Sequence, residues 1–435
     1  MRAIVTGQVG MDKKSYLEAV QHFAGERGDN IDLYHVGDLM YSEAKDVKPG
    51  RILDLPLSRL QALRRSAFKD IIAQVGDAPN FMVNTHATFR WRHGLFSAFD
   101  FDQIKLLNPD TLIVLVDNIE VVHDRLHRDH ILDATLKDLM VWREEEIMAT
   151  ELLAQALGCG NRFFVVSRGR HAQTTETMYR LICRSQMRTV YPSFPMTHVE
   201  NLPDVKAEIN AFRAEIAKHF ITFDPGDVDE KLLLDWAIDA AKSGNDFVEV
   251  DAGPEGGDKK LQVSVKQVLD IAGDIDGQIY MRDFKLIDQS DMIVSYVPEL
   301  PGQAGPIPGL SSGVERELQH AFEHGKEVYV VWKPRKNPKP VHHRNGNEGF
   351  HLDSGSDGLL RQEGHDARGQ SVWPLKRPSF IGLPHPHPDS FNSHYIGASV
   401  SPMITYGDRG SSARPSRCWT TYRVWSIRTW RGSAA

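Results

Sequence analysis

Cysteine is scarce in this chain: Cys159, Cys183 and Cys418 are the only three among 435 residues. They are too few and too scattered for a disulfide framework or a zinc cluster, and they point to a reducing, cytoplasmic setting. No stretch approaches the roughly 18 consecutive apolar residues that a membrane span needs, so no membrane partner is expected. Excess basic charge is missing too. At a net charge of −7, a general nucleic-acid binder is disfavoured, because phosphate backbones are held by clustered Lys and Arg. Small anionic ligands stay open, since one pocket can be basic within an acidic protein. The N-terminus leads straight into an apolar run, so no cleaved signal is expected.

What remains is a globular composition, 41% hydrophobic and 25% charged, in a chain long enough for two or three domains of about 100 to 200 residues. "RAIVT" reads as a buried strand, and Lys13 to Glu26 as a helix with Tyr16, Leu17, Val20 and Phe23 on one face. Between them lies "GQVGMDKKS", residues 7–15, with Gly7, Gly10, Lys13 and Ser15 at the offsets of a phosphate-binding loop. In such a loop the backbone N–H groups point at phosphate oxygens and the lysine bridges the terminal phosphates.

Residues 1–185 resemble the adenylate kinase family, especially its short-lid archaeal type. The likeness rests on that loop, on "FMVNTHATFRWRHG" from Phe81, on "LNPDTLIVLVDNIEVVHDRLHRDH" from Leu107, and on the helix-strand "REEEIMATELLAQALGCGNRFFVVSR". It implies a P-loop kinase-like parallel sheet, ATP and Mg²⁺ as cofactors, and nucleoside mono- and triphosphates as partners. Gly7, Gly10, Lys13, Lys14 and Ser15 would hold the cofactor, with Ser15 on the metal. Lys13, Arg125 and Arg128 would carry catalysis, and Thr85, His86 and Arg90 would bind substrate. Two positions depart from the pattern. Asp12 replaces a glycine, bringing a carboxylate toward the phosphates at a cost of about 1 to 4 kcal/mol at 4 Å, and it needs backbone angles that glycine reaches more easily. Lys14 is the expected local offset. Asn84 replaces an aspartate that would hold the magnesium shell, although an amide oxygen can still accept from a water. His35 and His123 read as partly buried or surface histidines, and "REEEI", residues 143–147, as a solvated helix face.

From residue 186 strands and helices alternate, which implies a second parallel sheet with ligands at its strand C-terminal ends. "VYPSFPMTH", "RDFKLIDQSDMIV" and "SSGVERELQHAFEHGKEV" resemble the nucleoside 2-deoxyribosyltransferase-like family. The resemblance implies a Rossmann-like (flavodoxin-like) α/β domain over 186–338. Asp283 and Glu317 would be its catalytic carboxylates, Tyr191, Ser311 and Gly313 would lie on the substrate, and a homo-oligomer through this domain is allowed. Such chemistry needs a carboxylate at the anomeric carbon and a donor for the departing base. Ser311 stands where an aspartate is common and Gln319 where a glycine is, leaving hydrolysis, transfer or plain binding open. Glu317, read as lying in the first turn of its helix, would also be stabilised simply by the helix dipole.

From Lys339 apolar periodicity disappears. "VHHRNGNEG" and "LPHPHPDS" impose no metal geometry, and residues 339–435 read as an aberrant or disordered tail. A shifted reading frame accounts for it: with permitted codons, the next frame from Pro340 can give "PFITETATKVFTSIPEAMDYFAKKGM", a strand followed by a capped helix. The expected function is thus an ATP-dependent nucleoside monophosphate kinase fused to a nucleoside-binding, N-glycosidase-like domain. The alternative is a non-catalytic nucleotide-sensing regulator.

Overall fold

The computed structural model describes residues 1–332 apart from 77, 92–93, 131–132, 170–172, 197–198, 200, 252–259 and 303–306. The changed composition expected from 339 onward, and the frameshift reading with it, lies outside the described residues.

The chain opens with strand β1 (Arg2–Thr6), helix α1 (Lys13–Gly25), β2 (Asp32–His35), α2 (Val36–Glu43), α3 (Leu57–Val75) and β3 (Phe81–Asn84). A hairpin of β4 (Thr88–Trp91) and β5 (Gly94–Ser97) precedes α4 (Phe101–Leu107), β6 (Thr111–Val116), α5 (Ile119–His130), α6 (Leu136–Ala156), β7 (Phe163–Ser167) and α7 (Gln173–Cys183). Five of these strands form one sheet in the order β2-β3-β1-β6-β7, every pair parallel. Both faces are covered. Ala3 and Val5 of β1 enter one apolar cluster with α1 and α7, while Ile4, pointing the other way, packs with Leu60, Phe68 and Ile71 of α3. That is why "TLIVLV" of β6 is apolar at every position instead of alternating. Helix α6 starts at a capping box, in which Asp138 N donates to Thr135 Oγ1 at 3.1 Å and Thr135 N donates to Asp138 Oδ2 at 3.0 Å.

A second sheet is built from β8 (Thr189–Ser193), β9 (Ile221–Thr222), β12 (Met292–Val297) and β15 (Glu327–Trp332), in the order β15-β12-β8-β9 and again all parallel. Helices α8 (Pro203–His219), α9 (Glu230–Lys242), α10 (Val265–Asp270), α11 (Ala272–Asp288) and α12 (Ser312–Glu323) belong to this half, with a short ladder of β13 (Glu299–Leu300) and β14 (Ile307–Pro308). The alternation of strands and helices from residue 186 does not put every strand in the parallel sheet. "DFVEV" does not join the parallel sheet: β10 (Phe247–Asp251) pairs antiparallel with β11 (Lys260–Ser264). Their burial alternates, with Val248, Val250, Leu261 and Val263 inward, the mark of a half-exposed hairpin. Its inner face packs with Ile119 and Val121 of α5 and Leu136 and Met140 of α6.

The two sheets share a core. Tyr191, Ile221, Phe223, Leu286 and Ile293 lie in the same apolar cluster as Val5, Val114 and Val165. The edge of β7 is closed by a side chain: Gln289 accepts from Val165 N at 2.8 Å and donates to Val165 O at 2.9 Å, which satisfies an edge that would otherwise pair with another strand.

Candidate functional site

The loop between β1 and α1 sits where two parallel neighbours, β3 and β6, flank β1. Gly7 has φ +146°, and a Cβ there would meet the Leu115 carbonyl at 2.9 Å. Gly10 has φ +86°, with Leu126 2.7 Å from the same hypothetical atom, so both positions exclude side chains. Asp12 takes φ +48°, ψ 45° in front of α1. It holds the left-handed conformation that glycine would supply, and aspartate tolerates it better than most residues.

Lys13 is buried, and its Nζ donates to Gly7 O at 2.7 Å. His86 Nδ1 lies 2.7 Å from the same carbonyl and 3.1 Å from Lys13 Nζ; a contact that short to a carbonyl requires the proton on Nδ1. Burial pushes the Lys13 ammonium down to about 7, Glu146 pulling it back up and Arg168 adding to the fall.

Glu146 corrects the solvated-face reading of residues 143–147. Its carboxylate is buried and accepts four donors: Gly7 N at 2.9 Å, Ala87 N at 2.8 Å, and Thr88 N and Oγ1 at 2.7 Å each. It clamps the glycine loop to the segment that carries Thr85 and His86. Arg143 is buried as well, bonded to Glu230 and to the Asp117 carbonyl.

Lys14 is not the partner of Asp12: it is half-exposed and pairs with Asp38 at 2.6 Å. Arg168, which the sequence reading passed over, takes that role. Buried just past the C-terminal end of β7, it bonds Met11 O and Asp12 O, and its Nη2 is 3.1 Å from Asp12 Oδ2. Ser15 Oγ donates to Asp12 Oδ2 at 2.5 Å. Burial acts to raise the Asp12 carboxyl, but Ser15, Arg168 and Arg125 outweigh it and hold it below the usual range. The Ser15 hydroxyl is a hard oxygen donor of the kind Mg²⁺ takes. Arg125 reaches Asp117 at 2.8 Å, and Arg128 pairs with Asp129 at 2.7 Å and Asp124 at 3.6 Å. Thr85 is buried with its N–H on Val5 O at 2.9 Å. Arg90, on β4, is tied to Glu145 of α6 by two nitrogens. The Asn84 amide nitrogen is spent on His35 Nδ1 at 3.0 Å.

A second polar cluster lies at the second sheet. Ser193, the last residue of β8, donates to Glu317 Oε2 at 2.6 Å. Tyr191 is buried on the same strand, its hydroxyl close to Glu317 without hydrogen-bond geometry. Asp283 Oδ1 and Ser295 Oγ are buried with no hydrogen-bond partner among the described residues. Burial pushes the Asp283 carboxyl up to about 8, Arg282 opposing and Glu317 reinforcing the rise. Glu317 is raised by burial, against the lowering effect of the Ser193 hydrogen bond and of the nearby Tyr191 hydroxyl. Glu317 is not in the first turn: α12 begins at Ser312, so it falls in the second, and Glu315 is the first-turn acid. The dipole account thus fails, because that effect fades within one turn. Ser311 is the N-cap of α12, accepting from Val314 N at 3.3 Å, and a Cβ on Gly313 would meet nothing nearer than Ser311 Oγ at 3.7 Å.

Residues 6–140 match the AAA domain family. The chain is similar to the adenylate kinase of Pyrococcus horikoshii, with 28% identity over 158 residues that cover 35% of this chain and 76% of the relative. The adenylate kinase of Pyrococcus furiosus is 26% identical over 162 residues, covering 35% and 79%. The N-terminal domain is a P-loop domain related to archaeal adenylate kinases. Among solved structures, a gluconokinase from Sinorhizobium meliloti 1021 covers 42% of this chain and 95% of its own at 15% identity and a TM-score of 0.28, too low to bear on function. The second sheet lies outside the matched residues and its family is unidentified. Among the described residues no helix is long and apolar enough to cross a membrane.

Proposed function

We propose that residues 1–185 transfer a phosphoryl group from ATP to a nucleoside monophosphate, and that residues 186–338 bind a nucleoside or nucleotide. The observation that carries the first half is the convergence of Lys13, His86 and Glu146 on Gly7. Phosphoryl transfer needs little covalent chemistry from the protein; it needs phosphates positioned and their charge neutralised. Lys13 and the loop N–H groups would take the terminal phosphates, and Arg125, Arg128 and Arg168 would bear developing charge. Ser15 would hold Mg²⁺, which supplies further charge neutralisation when bound.

A second reading, nucleotide sensing without turnover, is favoured by one observation. Asp12 draws Arg168 and the Ser15 hydroxyl onto itself, so both are engaged before any phosphate arrives.

For the second half, the strand order reads 2-1-3-4 in its own numbering, the flavodoxin-like order without a fifth strand among the described residues. Buried oxygens of Asp283 and Ser295 that have no hydrogen-bond partner among the described residues, beside Glu317, support a polar ligand there. The resemblance to nucleoside 2-deoxyribosyltransferases supports cleavage or transfer of an N-glycosidic bond as its chemistry, with plain binding as the alternative. A chromatographic assay with Mg²⁺ATP and a panel of nucleoside and deoxynucleoside monophosphates, scored for ADP, diphosphates and free bases, tests both halves. Diphosphate lost only in Lys13→Ala and free base lost only in Glu317→Ala are the expected results. Nucleotide binding with no product in wild type, and turnover gained by Asp12→Gly, is the sensor outcome.

A further inference from the structure

Helix α12 carries His320 and His324 one turn apart, and α11 ends on Asp288. One donor atom from each of the three lies within 4.8 Å of the other two. His320 Nε2 is 2.8 Å from Asp288 Oδ1. His324 Nδ1 is 2.8 Å from the His320 carbonyl, a contact that puts the proton on Nδ1 and leaves Nε2 with a lone pair. The ring planes are fixed as well. His320 lies flat on Phe284 of α11, centroids 4.2 Å apart and 5° from parallel, and His324 stacks on His320 at 4.0 Å and 30°.

A simple His–Asp hydrogen bond accounts for His320 and Asp288, but it does not require a second imidazole held against the first. The neighbouring cation, Lys326, directs its ammonium to the main-chain carbonyls of Asp288 and Ser290, which leaves the Asp288 carboxylate to face the histidines.

We infer that Asp288, His320 and His324 form a Zn²⁺ site, with water completing the coordination. Two imidazoles and one carboxylate are a donor set for zinc, whereas Mg²⁺ and Ca²⁺ prefer oxygen alone. The ion would staple the C-terminal end of α11 to α12, the two helices that carry Asp283 and Glu317.

The test uses the full chain, stripped of metal and titrated with Zn²⁺ while binding and thermal unfolding are followed. Histidines in residues 339–435 give a background common to every variant, so the site is read as a difference. Wild type should hold one equivalent of Zn²⁺ more tightly than His324→Ala or Asp288→Asn, by at least about tenfold. Its unfolding temperature should rise with Zn²⁺ while those of the variants do not, because an ion bound only to the native state stabilises it by mass action. Both altered side chains are exposed, so two independent, folded variants are available. Equal stoichiometry, affinity and thermal shift in wild type and both variants would overturn the site.

Discussion

The Glu146 carboxylate accepts the Gly7 N–H at 2.9 Å from a position far along the chain, in the middle of α6. The same group holds Ala87 and Thr88, so loop and hairpin are set by one buried charge. Glu146→Gln keeps the shape but turns an NH₂ toward two of those donors. We expect a loss of about 3 kcal/mol in unfolding free energy, measured by urea denaturation, with weaker ATP binding. A variant as stable as wild type would show that the four contacts contribute little.

Lys13 gives a signature in protons. With its ammonium at about 7 in the free protein, most molecules carry a neutral lysine at pH 8. A bound phosphate raises that value, so ATP binding at pH 8 should take up close to one proton, seen calorimetrically as a dependence of the heat on buffer ionisation. Lys13→Ala should abolish the uptake. Below about pH 6 the uptake should vanish in wild type too, because the lysine is already charged.

Glu230 lies between two guanidiniums, Arg143 of α6 and Arg282 of α11, all three buried. Burial alone would raise its carboxyl, but the two arginines hold it below the usual range. Glu230→Ala strips Arg143 of its carboxylate and leaves buried Arg282 with only Asp283, at 3.8 Å, and we expect about 3 to 5 kcal/mol of destabilisation in denaturant. Replacing all three by apolar residues should recover much of that loss, since a buried ionic triad gives back most of its Coulomb energy in desolvation.

Asp283 works in the opposite sense. Its carboxyl goes from an ordinary 3.8 to about 8 on folding, so between those values the native state binds the proton that the unfolded chain has lost. Its contribution is complete below pH 3.8 and declines as pH rises toward 8. Asp283→Asn should therefore flatten the fall in unfolding temperature between pH 5 and 8, and an unchanged slope would mean that the carboxyl ionises normally.

The first sheet was legible because its strands are apolar runs between glycine turns and amphipathic helices, patterns that depend on neighbours in sequence. Glu146 and Arg143 were not. "REEEI" reads as solvent-facing because its partners, Gly7, Thr88, Glu230 and Gln278, are remote in the chain. Arg168 gave a weak local signal, a base directly after a core strand, but its partner Asp12 could not be read from spacing. "KLQVS" carries the alternation of a half-buried strand, but it is only five residues long and lies between a glycine-rich segment and a helix, so its pairing with β10 is not legible from local pattern. Glu317 was assigned to the first turn because the N-cap role of Ser311 shifts the helix start, a boundary set by one hydrogen bond.

The proposed phosphoryl transfer depends on the loop anchored by Lys13. Its most direct test is the steady-state rate of diphosphate formation from Mg²⁺ATP and the best monophosphate acceptor, in wild type, Asp12→Gly and Lys13→Ala, each shown to be folded by circular dichroism. Asp12→Gly should be at least as fast as wild type, by up to about thirtyfold if a repulsion of 1 to 2 kcal/mol is removed, and Lys13→Ala should lose most of the rate. A Lys13→Ala protein that turns over like wild type would contradict it.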